Sequence, residues 1–239
     1  MKTTLPAIDN EQAGGASQAE RAYQRLRGEI LHGELMPGER LRAADLQERF
    51  DLGLTPIREA LTRLASENLV DTDTHRGSRV SEASAESFRD LMSSRRGIEA
   101  LCLSAAIESG DEAWEAEIIA ALHLLSRTPL PSSTDDREAA TLWETRHRRF
   151  HWALVSACPQ QWLLRFWNTL TDHSERYRKI RLLQQAPAPG GRRPRNTQDE
   201  HQAISDAVLA RDAQSAIDLM SAHLLATERS VLPRLRSES

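Results

Sequence analysis

The sequence predicts a mainly α-helical protein in two parts, a small mixed N-terminal module and a larger all-helical C-terminal one. Over residues 18–82 the expected elements are short: two brief helices, a third helix and a polar, turn-rich segment. From 83 to 232 the helical periodicity of apolar residues is nearly continuous, and it is broken only by two segments rich in helix breakers, 126–136 and 184–198. No alternating strand pattern occurs in this second part, so we expect a helical bundle there.

Composition and charge exclude several classes of protein. The chain has 239 residues, of which 39% are hydrophobic and 28% charged, as is typical of a globular protein with a real core. Its net charge of −4 is not that of a protein that coats polyanions. A local basic face would still allow specific DNA binding.

The cysteines and the N-terminal residues indicate the compartment. Cys102 and Cys158 show no CxxC spacing, so the sequence predicts neither a disulfide framework nor a thiolate zinc site. Residues 1–17 are small and polar and lack the apolar core of a signal peptide, and no apolar run approaches membrane-spanning length. We therefore expect a flexible tail over 1–17 and a cytoplasmic protein.

Three helices are predicted in the N-terminal module. The first two come from "AERAYQRLRGEIL", whose apolar residues share one face before Gly33, and from the brief "AADLQERF". The third is expected to start with Thr55 as its cap and Pro56 at its first helical position. Its apolar residues then repeat at helical spacing, at Ile57, Ala60, Leu61 and Leu64.

This order of elements matches a DNA reader. A short helix, a turn and a helix that presents Thr55 and Arg58 from its first turn form the geometry of a helix-turn-helix. The next stretch, "NLVDTDTHRGSRVSE", predicts a hairpin around Arg76 and Gly77, which would form a wing whose Arg76 contacts the minor groove or a phosphate. A small helical subdomain with merely solvated arginines stays open, because the module carries ten Arg against twelve Asp and Glu.

The stretch "GERLRAADLQERFDLGLTPIREALTRLASENLV", followed by "RGSRV", resembles the winged helix-turn-helix domain of GntR-type bacterial transcription regulators. The resemblance covers residues 18–82 and implies DNA binding. Ala44 stands where the family often has Arg, and Gly53 and Leu54 stand where it usually has Ser-Arg, so we expect a different operator. The residues that the resemblance places near DNA are Arg42, Thr55, Arg58, Arg76 and Gly77.

The C-terminal part contains a closely spaced pair of histidines. In "ETRHRRFH", His147 and His151 stand four residues apart, at the edge of the apolar face that carries Phe150. Side chains at this spacing are stacked neighbours on a helix and can bind one metal ion together.

Two further histidines lie on apolar faces of other helices, His201 on one and His223, beside Leu219 and Met220, on another. A satisfied core histidine is the ordinary interpretation of any one of them. Four inward imidazoles without partners would be costly to bury, whereas a shared metal would satisfy them all. Core histidines and a metal site therefore both stay open as interpretations.

Four segments resemble the FCD-type effector domain that accompanies one large subgroup of GntR regulators. They are "RRGIE" (95–99), "H..FH.AL" (147–154), "EH.AI..A...RD...A" (200–216) and "MSAHL" (220–224). The resemblance implies an antiparallel helical bundle over 85–232 that binds an effector and a divalent metal. In that family an Asp-x-x-x-His motif and two further His hold the metal. His147 takes the Asp position here, so the implied ligands of a divalent transition metal, Zn or Ni, are His147, His151, His201 and His223.

Arg95 and Glu99 match a further motif of that family. Arg95 falls on the apolar side of its helix with Phe88, Cys102 and Ala106, so it needs an anion. A structural pair with Glu99 would supply one. The resemblance instead favours a cavity in which Arg95 clamps the carboxylate of a small organic acid, beside a metal with open coordination positions.

From these resemblances we expect a DNA-binding transcriptional regulator, a repressor rather than an enzyme. It would bind a pseudopalindromic operator as a homodimer and respond to a dicarboxylate or hydroxyacid of the glutarate type, with no membrane partner. One alternative is a metal-dependent hydrolase with Glu144 or Glu200 as general base. Another is a regulator whose metal is purely structural.

Overall fold

A computed structural model describes residues 17–73, 77–131, 136–183 and 195–235, and the chain divides into two compact units. The first comprises residues 17–30 and 36–81, and the second comprises 31–35 and the residues from 82 onward. Helices dominate the described residues, so the predicted mainly α-helical fold is confirmed. None of the described helices is long and apolar enough to cross a membrane. The predicted tail over 1–17 lies, except for its last residue, outside the described part of the chain.

The first unit combines three helices with a small sheet. The helices are α1 (Gln18–Leu31), α2 (Ala43–Phe50) and α3 (Leu54–Ser66), and the strands are β1 (Arg40–Leu41), β2 (Val70–Asp73) and β3 (Gly77–Val80). The strands pair antiparallel in the order β1-β3-β2. The predicted hairpin is therefore present as β2 and β3.

The turn between α2 and α3 uses a left-handed residue. Asp51 follows α2 with φ of 52°, and its N–H bonds back to the last turn of α2, which ends the helix sharply. A short turn between two helices is the connection that a helix-turn-helix motif uses.

The predicted start of α3 is wrong by two residues. The helix begins at Leu54 after an extended Gly53, which provides no side-chain cap, so Thr55 is the second helical residue. Pro56 lacks an N–H at a place in the first turn where no intrahelical bond is needed, so the helix can begin before it without losing a hydrogen bond. Thr55 is exposed and is not used as a cap.

The second unit is a bundle of six long helices and a final 3₁₀ turn (Leu232–Arg234). Helix α4 packs against α9, α7 and α6, while α5 packs against α6 and α8, and α8 against α9. The six helices are α4 (Ala85–Ser109), α5 (Glu112–Ser126), α6 (Arg137–Val155), α7 (Gln161–Leu183), α8 (Thr197–Leu209) and α9 (Ala213–Val231).

Polar caps fix where five of these helices begin. Each cap side chain accepts a hydrogen bond from a backbone N–H in the first turn of its helix, which satisfies a donor that has no intrahelical partner. The cap residues are Ser84, Asp111, Asp136, Asn196 and Asp212. The turn before α5 is also tightly packed, because a Cβ on Gly110 would stand 2.0 Å from the Trp114 ring.

Candidate metal centre and nucleic-acid interface

The second unit brings the four predicted histidines together. Helix α6 carries His147 and His151, α8 carries His201, and α9 carries His223. Each offers one ligand nitrogen, and these four atoms all lie within 4.8 Å of one another. All four side chains are buried.

The pair on α6 has the spacing of two ligands of one ion. The Nε2 atoms of His147 and His151 are 3.1 Å apart, and Trp143 stacks on the His147 ring at 4.6 Å. Two imidazole nitrogens that bind one ion at roughly 2.0–2.1 Å and a right angle stand about 3 Å apart. The i, i+4 spacing and the stacked Trp143 therefore aim both rings at a common point.

The donor set fits a divalent transition metal. The buried Nε2 of His201 has no hydrogen-bond partner among the described residues, and neither has Nδ1 of His147 or of His151. Buried polar atoms of native proteins normally have a partner, so the orphaned Nε2 of His201 points to a missing one, which a metal held by the cluster would supply. Imidazole is a ligand that Zn and Ni both accept.

The cluster keeps its histidines neutral. Burial first, and then the charges of neighbouring groups, hold the pKa of His147 and of His151 well below the usual value of 6.5. Burial also lowers the pKa of His201 to about 2. Neutral imidazole is the form that binds a metal, so the site would not have to release protons near neutral pH.

His223 is the histidine whose outer nitrogen has a carboxylate partner. Its Nδ1 lies 2.8 Å from Oε2 of Glu200, which fixes the tautomer that carries the proton on Nδ1 and leaves Nε2 free as a ligand. Arg195 binds the same carboxylate through Nε at 2.7 Å and Nη2 at 2.5 Å. Burial lowers the pKa of His223 to about 4, while the hydrogen bond to Glu200 opposes that shift.

The predicted face of α9 is partly wrong. Met220 is buried beside His223, but Leu219 is 37% exposed. The buried face of α9 continues through Ala216 and Thr227 instead, because packing against α4 and α8 selects that side of the helix.

Arg95 is buried and paired inside the bundle. Its Nη1 donates to Oγ of Ser174 at 2.6 Å, and its Nε lies 3.5 Å from Oε2 of Glu99. Neither Glu99 oxygen has a well-formed hydrogen bond with a described residue. Burial lowers the pKa of Arg95 to about 10 and raises the pKa of Glu99, and the attraction between the two charges opposes both shifts.

A second buried arginine, Arg178, was missed from the sequence. It donates to both oxygens of Glu144, at 3.0 and 3.4 Å, and to Ser174 at 3.1 Å. Ser174 thus receives hydrogen bonds from Arg95 and from Arg178. Its partner Glu144 lies 34 residues away on α6, so only the packing of the helices reveals that Arg178 points into the bundle.

In the first unit, the structure gathers several of the predicted DNA-contacting residues. Arg42, Arg58 and Gly77 line one concave surface of about 400 Å³. Thr55 and Arg58 line an adjoining shallow one. The Arg42 and Arg58 side chains are exposed and have no hydrogen bond or ion pair within the described ranges. Arg76, which the sequence analysis also predicted to contact DNA, lies outside those ranges.

Family comparisons identify both units. A model described as bacterial regulatory proteins of the gntR family matches residues 18–80, and the FCD domain model matches residues 90–226. The uncharacterized HTH-type transcriptional regulator BphR of Paraburkholderia xenovorans is 36% identical over 208 residues, which are 87% of this chain and 82% of that protein. The HTH-type transcriptional repressor GlaR of Escherichia coli is 36% identical over 203 residues, 85% of this chain and 90% of the repressor.

Solved structures share the fold. The Escherichia coli protein McbR/YncC superimposes with a TM-score of 0.71 at 20% identity, over 89% of this chain and 95% of that one. A transcriptional regulator of the GntR type from Rhodococcus superimposes with a TM-score of 0.70 at 24% identity, over 92% of this chain and all of that one. At these identities the likeness concerns the fold alone.

Proposed function

The chain belongs to the GntR family of bacterial regulatory proteins and carries an FCD domain, and on this premise we propose that it is a repressor controlled by a small carboxylate metabolite. It is a transcriptional regulator and not an enzyme. The metabolite would bind beside a divalent metal in the helical unit and change the affinity for operator DNA.

The observation that carries the proposal is the buried cluster of four neutral imidazoles. Four nitrogen ligands leave two positions open on an octahedral ion, which a carboxylate effector can occupy. A bound Zn or Ni ion would supply Lewis acidity to that carboxylate. The residues that would hold the ion are His147, His151, His201 and His223.

Arg95 would hold the effector's carboxylate. Its hydrogen bond to Ser174 uses Nη1, and its Nε makes no hydrogen bond with Glu99 at their separation of 3.5 Å. An effector carboxylate could therefore bind the guanidinium bidentately and take over the role of Glu99. A dicarboxylate or a hydroxyacid suits a site that combines a cation with an open metal position.

Control of DNA binding follows from linkage. The effector shifts operator affinity only if it binds the DNA-competent and the incompetent states differently. In a homodimer on a pseudopalindromic operator, two recognition helices must meet half-sites at a fixed spacing. A small change in the relative placement of the two reading heads is therefore sufficient to release DNA.

Metal analysis tests the centre. The purified protein should contain about one divalent ion per chain, since the four nitrogens converge on one point. His151→Ala and His223→Ala should each lose the ion, because each removes one of four ligands. His123→Ala, which changes an exposed histidine on α5, is the control and should keep it. Full metal content in both of the first two variants would refute this ligand set.

Effector titration tests the role of Arg95. Arg95→Ala should abolish the response of operator binding to glutarate and related hydroxyacids while the metal content stays unchanged. The neighbouring Arg96, paired with Glu228 at 2.8 Å and partly exposed, provides the control variant Arg96→Ala. An unchanged response in Arg95→Ala would refute the clamp.

A purely structural metal is the second candidate, and the Arg95–Glu99 pair favours it, because that arginine already has an anion. In that case chelation should lower the thermal stability, and the wild-type protein should bind none of the tested acids. The hydrolase interpretation fails because the chain is a regulator, and because Glu144 and Glu200 are both held in ion pairs.

A further inference from the structure

A cleft of about 420 Å³ opens in the second unit, next to the histidine cluster. Its walls come from the C-terminal end of α5 and the loop after it, from α6, and from the N-terminal end of α8. His201 belongs both to this wall and to the histidine cluster, and Trp143, which stacks on the His147 ring, also lines the cleft. Binding sites for small molecules commonly have volumes of roughly 300–1,000 Å³.

The cleft has the charge and the shape for a small aliphatic anion. Among the described residues that line it, Arg127 and Arg195 are the charged ones, and Arg195 is paired with Glu200, which stands behind the wall. Arg127 is exposed and has no ion-pair partner in the described part of the chain. Apolar side chains of Leu122 and Leu125 form part of the wall and suit a short hydrocarbon chain.

The inner wall also carries an unsatisfied group. His201 is only 2% exposed, and its Nε2 has no hydrogen-bond partner among the described residues. Of the histidines in the cluster, it is the one that lines the cleft. A ligand in the cleft therefore lies next to the metal centre rather than at a remote surface.

Arg195 links the cleft to the cluster. Its guanidinium binds both oxygens of Glu200, and Glu200 in turn accepts the Nδ1 proton of His223 at 2.8 Å. The Nη2 atom of Arg195 also lies 3.2 Å from Nδ1 of His223. When His223 binds a metal through Nε2, its Nδ1 carries the proton. The contact with Arg195 therefore places a positive charge beside an N–H donor of His223.

Two opposing effects thus act on His223. Glu200 makes the imidazole a better ligand, as carboxylates behind metal-bound histidines generally do. Arg195 works against this, because it neutralises Glu200 and places its own positive charge beside the ring. An anion that neutralised Arg195 would leave Glu200 a stronger acceptor for His223.

We propose that the cleft binds a small aliphatic carboxylate on Arg195, and that this anion tightens metal binding by releasing Glu200 to act on His223. The proposal rests on the proposed function, because it assigns a second arginine, Arg195, to the same class of carboxylate metabolite. Linkage requires the effect to be mutual, so the bound metal tightens carboxylate binding by the same factor.

Metal affinity measured with and without an anion tests the coupling. Zn²⁺ affinity of the full chain is determined by competition with a chelator, alone and with glutarate, and with the uncharged glutaramide as the control ligand. Glutarate should tighten Zn²⁺ binding by about 5-fold or more, which is the lower end of usual coupling between sites. No change with glutarate, or an equal change with glutaramide, would overturn the proposal.

Two variants separate the role of Glu200 from that of Arg195. Glu200→Gln should weaken Zn²⁺ binding by about 10- to 100-fold, as loss of an outer carboxylate does, yet keep glutarate binding by calorimetry because Arg195 remains. Arg195→Gln should keep Zn²⁺ affinity at or above the wild-type value and lose the effect of glutarate. Arg149→Gln, which removes an exposed arginine paired with Glu117 on the adjacent helix, should match the wild type.

The outcomes distinguish this inference from the proposed function. If Arg195→Gln responds to glutarate as the wild type does while Arg95→Ala does not, the cleft proposal is wrong and the Arg95 clamp stands. If Arg195→Gln and Glu200→Gln both lose the metal, Arg195 supports the fold of the site. In that case the proposal that Arg195 weakens the effect of Glu200 on His223 is wrong. Circular dichroism of each variant identifies any that fails to fold, and Glu200→Asp then replaces Glu200→Gln.

Discussion

Arginine is used in opposite ways in the two units. On the concave surface of the first unit, Arg42 and Arg58 are exposed and have no partner within the described residues. Inside the second unit, Arg95 and Arg178 are buried and each faces a carboxylate. The exposed arginines can replace bound water by the phosphates or base edges of DNA, whereas a buried arginine needs an anion beside it within the protein.

Two other arginines of the first unit sharpen this contrast. Arg49 forms an ion pair with Glu29, and Arg63 forms one with Glu20 while it lies over the Tyr23 ring. The module as a whole is therefore not basic, but its negative charges neutralise arginines away from the concave surface. A local basic face can thus exist in a chain whose net charge is −4.

The largest effect should come from pH, acting on the interior of the second unit in the metal-free protein. The histidines have folded-state pKa values below 6.5, down to about 4 for His223 and about 2 for His201. Below pH 6.5 the unfolded chain therefore binds protons that the folded chain does not, and the free energy of unfolding falls by up to about 1.4 kcal/mol per pH unit for each such histidine.

Denaturant unfolding of chelated protein between pH 7 and pH 5 measures this loss. The stability is fully present above pH 6.5 and is lost as the pH falls, so several kcal/mol should disappear over that range. Zn²⁺-loaded protein should resist the change, since the metal occupies the nitrogens. A flat profile for the metal-free protein would contradict neutral burial of the cluster.

The next effect concerns the buried pair. Glu144→Ala leaves Arg178 buried without its carboxylate, so it should lower the free energy of unfolding by about 3–5 kcal/mol. Glu117→Ala breaks the exposed pair with Arg149 and should cost no more than about 1 kcal/mol. Urea unfolding of the two variants gives the comparison, and equal losses would remove the distinction between interior and surface pairs.

The smallest effect in energy should come from the concave surface of the first unit, which we expect to face DNA. Arg58→Ala removes an exposed arginine without a partner, so the free energy of unfolding should stay the same, while operator affinity falls by about 1–3 kcal/mol, roughly 5- to 150-fold. Arg25→Ala, which removes an arginine paired with Glu29 on α1, is the control. Mobility-shift titration at fixed salt measures both, and similar affinities would show that Arg58 does not read DNA.

Much of the candidate site was predictable, because the spacing of residues along a helix fixes the direction in which each side chain points. The i, i+4 step from His147 to His151 places both rings on one edge at 100° per residue, and the structure keeps them 3.1 Å apart at Nε2. The inward faces of His201 and His223 followed from the same rule. The start of α3 did not, because a proline without an N–H is tolerated at more than one place in a first turn.

The network around the histidines was not predictable. Arg195 stands in a segment rich in helix breakers, where no periodicity fixes its direction, yet it binds Glu200 and lines the cleft. Glu144 and Glu200 were possible general bases from their position next to the histidines, and each proved to be bound by an arginine. Arg178 lies 34 residues from Glu144, and Arg195 lies before the helix that carries Glu200, so spacing along one helix encodes neither contact.

The sequence by itself determined the two-part, mainly helical fold, the helix α3 with its exposed Arg58, and the inward direction of the four histidines, since each depends on residues within one or two turns of a helix. Tertiary structure alone decided that the four ligand nitrogens converge within 4.8 Å, that Arg95 meets Ser174 on another helix, and that Arg195 joins a cleft to the cluster. The physical reason is that a helix sets the angle of its own side chains, whereas the burial of apolar faces between helices sets which side chains meet.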